Sequence, residues 1–130
     1  MGLAERKLVQ AAKDIDFKNF EQNLNKVCGF LPKVDIDWSA LENHKDCVWA
    51  FENKKQNTLL FDPIIEALKS VCSDEMGKTA LREGLKAIKI SFAAGELEFS
   101  KGTLFVRSDI AGMDGAWDFD AIKTKLEKGL

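Results

Sequence analysis

The sequence predicts a single α+β domain over residues 1–130, in which four to five helices pack on one face of a small antiparallel sheet of three to four strands. Apolar residues recur at helical spacing through most of the first 88 positions. They then alternate with polar residues as far as residue 106, which is the spacing of strands. Of the 130 residues, 45% are hydrophobic and 31% are charged, which is the composition of one folded domain.

The first 28 residues predict two helices or one kinked helix, because the apolar stripe changes phase near Asp16. We expect Asp16 to cap the second helix and Gly29 to end it. The run Val34-Asp35-Ile36-Asp37-Trp38 then alternates between apolar and acidic residues, which predicts a strand with one buried face.

Two further helix starts follow this strand. Ser39 and Glu42 have the spacing of a capping box, which predicts a helix with His44 on its apolar stripe. Asp62 and Pro63 predict the start of another helix, because proline is tolerated in the first turn, where its missing N–H costs nothing.

The stretch Cys72 to Gly84 contains Gly77-Lys78-Thr79, which resembles the end of a phosphate-binding P-loop. A P-loop has glycine at the position of Cys72 and follows a strand, whereas a helix is predicted here. Asp74 and Glu75 would also place negative charge where phosphates bind. The stretch therefore predicts a helix capped by Ser73 or Asp74, and no nucleotide site.

Residues 88–106 predict an antiparallel meander, with turns near Gly95 and at Ser100-Lys101-Gly102-Thr103. Trp117 and Phe119 could add a short strand. Asp118 or Asp120 is then expected to cap a final helix that ends at Gly129.

Composition excludes several classes of function. The formal net charge is −2, and basic residues are interspersed with acidic ones, so no nucleic-acid partner is predicted. No apolar run approaches the roughly 20 residues of a membrane span, and the N-terminus lacks the apolar core of a signal peptide. We therefore expect a cytoplasmic protein without a membrane partner.

Few residues offer chemistry for catalysis or metal binding. His44 is the only histidine, and it lies three residues before Cys47, so a histidine-activated thiol is one hypothesis. The alternative is a purely structural role, with a partly buried, hydrogen-bonded histidine beside a small apolar cysteine. The three cysteines are far apart and form no zinc pattern. We predict no metal, no cofactor and no catalytic residue, and lean against an enzyme.

Four acids, Asp109, Asp114, Asp118 and Asp120, fall within twelve residues, but without the spacing of a calcium-binding EF-hand loop. Turn formation and helix capping explain them without an ion.

Three aromatic residues fall off the predicted core faces: Trp49, Phe105 and Trp117. With Asp114 they form the candidate partner-binding set, because aromatic side chains supply most of the binding energy in protein interfaces and charges steer the approach. The alternative is that all three are core residues.

These observations favour a non-catalytic domain that binds another protein, as adaptors and inhibitors do. A homodimer is left open as one form of that partner. The second class is a small enzyme or ligand-binding domain with a pocket between helices and sheet.

Overall fold

The computed structural model describes residues 1–130 and consists of helices and one four-stranded sheet. The helices are α1 (Leu3–Ala11), α2 (Phe17–Cys28), α3 (Val48–Glu52), α4 (Asp62–Val71), α5 (Glu75–Gly84) and α6 (Phe119–Gly129). The strands are β1 (Lys33–Ile36), β2 (Ala87–Ser91), β3 (Glu98–Ser100) and β4 (Thr103–Arg107). The predicted α+β class is confirmed. None of these helices has the length and apolar character needed to cross a bilayer.

The sheet has the strand order β1-β2-β4-β3 and is mixed. β1 pairs with β2 in parallel, β2 pairs with β4 in parallel, and only β3 and β4 are antiparallel. The prediction of an antiparallel sheet with a C-terminal meander is therefore wrong for β1 and β2. The tight turn at Lys101-Gly102 pairs β3 with β4 locally, and both turn residues have positive φ (52° and 81°). The connection from β2 to β3 is longer, so it passes over one strand position and leaves room for β4 between them.

Only one face of the sheet is covered by helices. Residues that point toward the helices are buried: Ile36, Ile88, Ile90, Leu104 and Val106. The residues that alternate with them on the other face are exposed or half-buried. This arrangement follows from the strand period of two, which places every second side chain on the same side.

The core lies between the sheet and the helices, with α4 packed against both α2 and α6. Phe20 and Phe61 stack with ring centroids 4.7 Å apart. At the other end of the core, Phe51 and Phe92 meet Trp38, with centroid separations of 5.6–6.2 Å. Twenty-nine buried apolar residues form this single cluster.

Several predicted helix ends are confirmed. Gly29 ends α2 with φ 74°, in the left-handed region that glycine tolerates. Asp74 caps α5 by accepting a hydrogen bond from the Gly77 backbone N–H at 2.7 Å, and Asp118 caps α6 by accepting from the Ala121 N–H at 2.8 Å.

Other predicted local structures are wrong. Asp16 does not cap α2, because the chain passes from α1 to α2 through a π-helical turn at Ala12–Asp16. Its carboxylate instead accepts hydrogen bonds from the side-chain amides of Gln56 and Asn57, which belong to a distant part of the chain.

The predicted capping box is also absent. Ser39 donates its hydroxyl hydrogen bond to Asp37, and residues 38–42 and 45–47 form short 3₁₀ turns before α3 begins. The predicted strand at Trp117 and Phe119 does not form either, because Phe119 starts α6.

Gly77 explains why a P-loop-like tripeptide occurs in a protein with no P-loop. A Cβ on Gly77 would clash with the backbone carbonyl oxygen of Val71, at the end of α4. Glycine is therefore required for the start of α5 to pack against the end of α4. Lys78 pairs with Glu75 one turn earlier, at 3.5 Å, so the lysine also has a local role.

We predict that Gly77→Ala lowers the free energy of unfolding by about 2 kcal/mol or more, because the new methyl group displaces backbone. Helix propensity alone would predict the opposite change in the free energy of unfolding, because it favours alanine over glycine by about 1 kcal/mol. Urea unfolding followed by circular dichroism measures the change. The control is Gly112→Ala, where a Cβ meets no atom within 4 Å. Equal stability of the two variants would show that the α4–α5 junction tolerates the methyl group.

Candidate functional site

The sheet face without helices is the first candidate site, and we call it the open face. It consists of Lys33, Asp35, Ala87, Lys89, Ser91, Glu98, Ser100, Thr103, Phe105 and Arg107, none of which is buried. Three of these side chains are cationic and two are anionic, so the face carries a nearly balanced charge. Phe105 is its only aromatic residue.

Phe105 occupies the middle of the open face, between two cations. Strand register places Asp35, Lys89, Phe105 and Glu98 in one row across the four strands. Lys89 Nζ lies 5.9 Å from the Phe105 ring centroid, and Arg107 Cζ lies 5.1 Å from it. Both distances are in the range of cation–π contacts. The ring is therefore partly covered by charged side chains rather than by a helix.

Arg107 holds one border of the open face in place. Its guanidinium lies 3.7 Å from the Glu98 carboxylate and donates a hydrogen bond to the Glu96 carbonyl oxygen at 3.1 Å. The Arg107 carbonyl oxygen accepts a hydrogen bond from the Trp117 indole N–H at 2.9 Å. Trp117 is thus anchored to the end of β4, and its N–H is already used.

The structure does not bring the four predicted partner-binding residues together. Phe105 lies on the open face, as its off-phase position indicated. Trp117 lies half-buried at the end of β4, and Asp114 lies exposed in the 3₁₀ turn Met113–Gly115. Trp49 lies half-buried on α3, which packs against α1 on the helical side of the sheet.

The second candidate site is a cleft at the carboxyl ends of the three parallel strands. Because β1, β2 and β4 run in the same direction, the loops that follow them meet at one edge of the sheet. The cleft has a volume of about 680 Å³ and is lined by Glu42, Asn43, His44, Lys45, Asp46, Cys47, Ala93, Ala94 and Asp109. We call it the strand-end cleft. In open α/β sheets, ligands bind at the carboxyl ends of the strands.

His44 and Cys47 both line this cleft, but their environments differ. His44 is exposed, which corrects the expectation of a partly buried histidine on an apolar stripe. Cys47 is 2% exposed, and its thiol lies 3.6 Å from Asp109 Oδ1 and 3.9 Å from the Phe92 carbonyl oxygen, at weak hydrogen-bonding distance. The structure therefore unites residues that are 62 positions apart in the chain.

The electrostatics of the cleft oppose thiolate formation. The pKa of the Cys47 thiol is raised from 9.0 to about 11, chiefly by burial and with a further contribution from the nearby Asp109 carboxylate, against a lowering contribution from the Ile110 backbone. A catalytic cysteine needs the opposite shift, because the thiolate is the nucleophile. The geometry thus places His44 and Cys47 in one cleft without activating the thiol.

Three of the four acids considered for calcium lie in separate local settings. Asp109 accepts hydrogen bonds from the Cys47 thiol and the Ala111 backbone N–H. Asp118 caps α6 and Asp114 lies in a turn. No group of three or more His, Cys, Asp or Glu side chains is arranged to hold a metal ion.

Sequence reasoning found Phe105 but did not associate it with the charged residues around it, Lys89, Glu98 and Arg107. Each has the strand phase of the open face, so the alternation carried a signal for all three. Their meeting at Phe105 depends on the order β2-β4-β3, which the predicted meander did not contain.

Comparisons with protein-family models, with curated proteins and with solved structures give no match to this chain.

We predict that Cys47 makes the protein less stable at alkaline pH. The pKa of this thiol is about 11 when folded and near its ordinary value of 9.0 when unfolded, so its stabilising contribution is complete below pH 9 and lost as pH rises through about 11. Between these values, the free energy of unfolding of the wild type should fall more steeply than that of Cys47→Ala, by up to about 1.4 kcal/mol per pH unit.

Urea unfolding at pH 7, 8, 9, 10 and 11 measures both curves. Below pH 8 the free energies of unfolding of the two proteins should differ by a constant amount, which serves as the internal control. Curves that stay parallel up to pH 11 would contradict the raised pKa.

Proposed function

We propose that this protein is a non-catalytic, protein-binding domain that uses the open face of its sheet. The observation that carries the proposal is the position of Phe105, an aromatic residue at the centre of the sheet face that no helix covers. Lys89, Glu98 and Arg107 surround it with charges of both signs.

Interface energetics support this assignment. Binding energy concentrates in a few central aromatic or arginine side chains, and the polar groups around them exclude water. The open face has this layout, with Phe105 in the middle and charged side chains at its border. Phe105 lines none of the five main pockets, whereas a small molecule needs a concave site, so the open face suits a protein surface better.

The chemistry of the strand-end cleft supports the same preference. The only histidine lies beside a thiol whose raised pKa keeps it protonated at neutral pH. No nucleotide-binding loop is present, because the Gly77 region is the capped start of α5.

We predict that Phe105→Ala weakens partner binding by about 2 kcal/mol, or roughly thirty-fold, because it removes the central aromatic anchor. Tagged wild type and tagged Phe105→Ala are each used for affinity capture from the native host, with an untagged copy of the chain co-expressed. Quantitative mass spectrometry then measures how much of each captured protein is lost with the variant.

The matched control is Phe119→Ala, which makes the same substitution at a residue that is 43% exposed at the start of α6. Phe119→Ala should capture the same proteins as the wild type, and circular dichroism should show that both variants fold. An unchanged set of captured proteins with Phe105→Ala would remove the open face from the proposal.

A second candidate function is the binding of a small polar molecule in the strand-end cleft. The observation that favours it is the convergence of the three loops that follow parallel strands, around a volume of about 680 Å³. Small-molecule sites have volumes of about 300–1,000 Å³. The lining carries Glu42, Asp46 and Asp109 against Lys45, so it suits a ligand with a positively charged group.

We predict that, if the cleft is a binding site, a small amine raises the melting temperature of the wild type in a saturable manner. A ligand at a hundred times its Kd stabilises the fold by about 2.7 kcal/mol. A thermal-shift screen of amines, amino acids and carboxylic acids measures this, and Asp46→Asn should reduce the response.

Asp35→Asn is the matched control, because it removes the same charge on the open face, away from the cleft. If no compound gives a saturable shift, or if both variants respond alike, the cleft is not the binding site.

A further inference from the structure

Resting on the proposed protein-binding role of the open face, we infer that its partner is a second copy of this chain, packed face to face about a two-fold axis that runs parallel to β4 through Phe105. The inference depends on the charges in the row Asp35, Lys89, Phe105 and Glu98. Of the two axes through Phe105 that run along or across the strands, only the one along β4 makes this row complementary to itself.

The position of the axis decides which charges meet. A two-fold axis along β4 places β2 of one copy over β3 of the other, because these strands flank β4 on opposite sides. Lys89 then faces Glu98 of the second copy, Glu98 faces its Lys89, and the two Phe105 rings meet at the axis. Two pairs of opposite charge thus surround an aromatic contact.

Two alternative axes bring like charges together. An axis perpendicular to the strands through Phe105 would place Lys89 over Lys89 and Glu98 over Glu98. An axis between β2 and β4 would place Asp35 over Glu98 of the second copy. Like charges that face each other across an interface lower the affinity several-fold or more. Both alternative axes are therefore disfavoured.

The axis along β4 also brings the two Arg107 side chains near each other. Each guanidinium lies 3.7 Å from its own Glu98 carboxylate and 5.1 Å from its own Phe105 ring, so its charge is partly neutralised within its own chain. The rest of the contact consists of small residues, since Ala87 faces Ser100 of the second copy.

The balance of charge on the open face supports a second copy over an acidic or basic partner. Three cations and two anions leave it close to neutral, so it selects neither a strongly acidic nor a strongly basic surface. A row of alternating charges around an aromatic residue is instead complementary to a second copy of the same row, rotated about the two-fold axis.

The size of the face predicts a weak dimer. About the axis along β4, only β2, β4 and β3 of the two copies overlap, and three strands spaced about 4.8 Å apart, with about 3.3 Å per residue, cover roughly 240 Å² in projection. A stable interface buries about 800 Å² on each partner, so this dimer belongs to the weak, reversible class. It should form at high protein concentration and low salt, because screening weakens its charge pairs.

Sedimentation equilibrium up to about 1 mM protein at low salt tests the inference. The wild type should rise from the monomer mass of 14.5 kDa toward twice that value. Lys89→Glu and Glu98→Lys should each remain monomeric, with Kd raised at least about tenfold, because each places like charges in contact across the axis.

Charge exchange provides the decisive controls. An equimolar mixture of Lys89→Glu with Glu98→Lys should dimerise again, because both contacts between positions 89 and 98 in the mixed dimer pair opposite charges. Lys18→Glu, an identical charge change at an exposed position on α2, should behave like the wild type.

Each other result overturns the inference. A wild type that stays monomeric at about 1 mM excludes the dimer. A dimer that survives both single variants uses another surface, such as the free edge of β1, and a mixture that stays monomeric excludes the proposed axis. If a monomeric wild type still shows Phe105-dependent capture of another protein, the dimer fails while the protein-binding proposal stands. If capture also proves independent of Phe105, both fail.

Discussion

Burial of Ile88, Ile90, Leu104 and Val106 beneath the helices is the interaction on which the rest of the structure depends. Because strand side chains alternate, burying these residues forces their neighbours onto the opposite face. All helices pack on one side, so Phe105 has no helix to cover it. The open face is therefore a direct result of a two-layer fold, and its aromatic centre is the feature on which the proposed binding role rests.

The two candidate sites differ in what their surroundings do to the reactive groups. At the strand-end cleft, burial and a neighbouring carboxylate keep the Cys47 thiol protonated, which suits packing better than catalysis. At the open face, Lys89 and Arg107 approach an aromatic ring that remains partly accessible. The cleft has the position of a ligand site, whereas the open face has the chemistry of a contact surface.

Local interactions explain which structural predictions succeed. The helix ends at Gly29, Asp74 and Asp118 depend on groups within a few residues of one another, and the turn at Lys101-Gly102 does as well. Their neighbours in sequence are their partners in space, so residue type and spacing suffice. Where a distant residue competes for the same group, the local prediction is wrong: Asp16 bonds Gln56 and Asn57 instead of capping α2.

The sequence by itself determined the α+β class, the positions of the four strands and the outward direction of Phe105, because hydrophobic periodicity is a property of contiguous residues. Only the tertiary structure decided that β4 inserts between β2 and β3, that Asp109 meets Cys47, and that Lys89 and Glu98 flank the same ring. These contacts join segments separated by long connections. Their pairing is selected by packing the whole core at once, which leaves no signature at any one position.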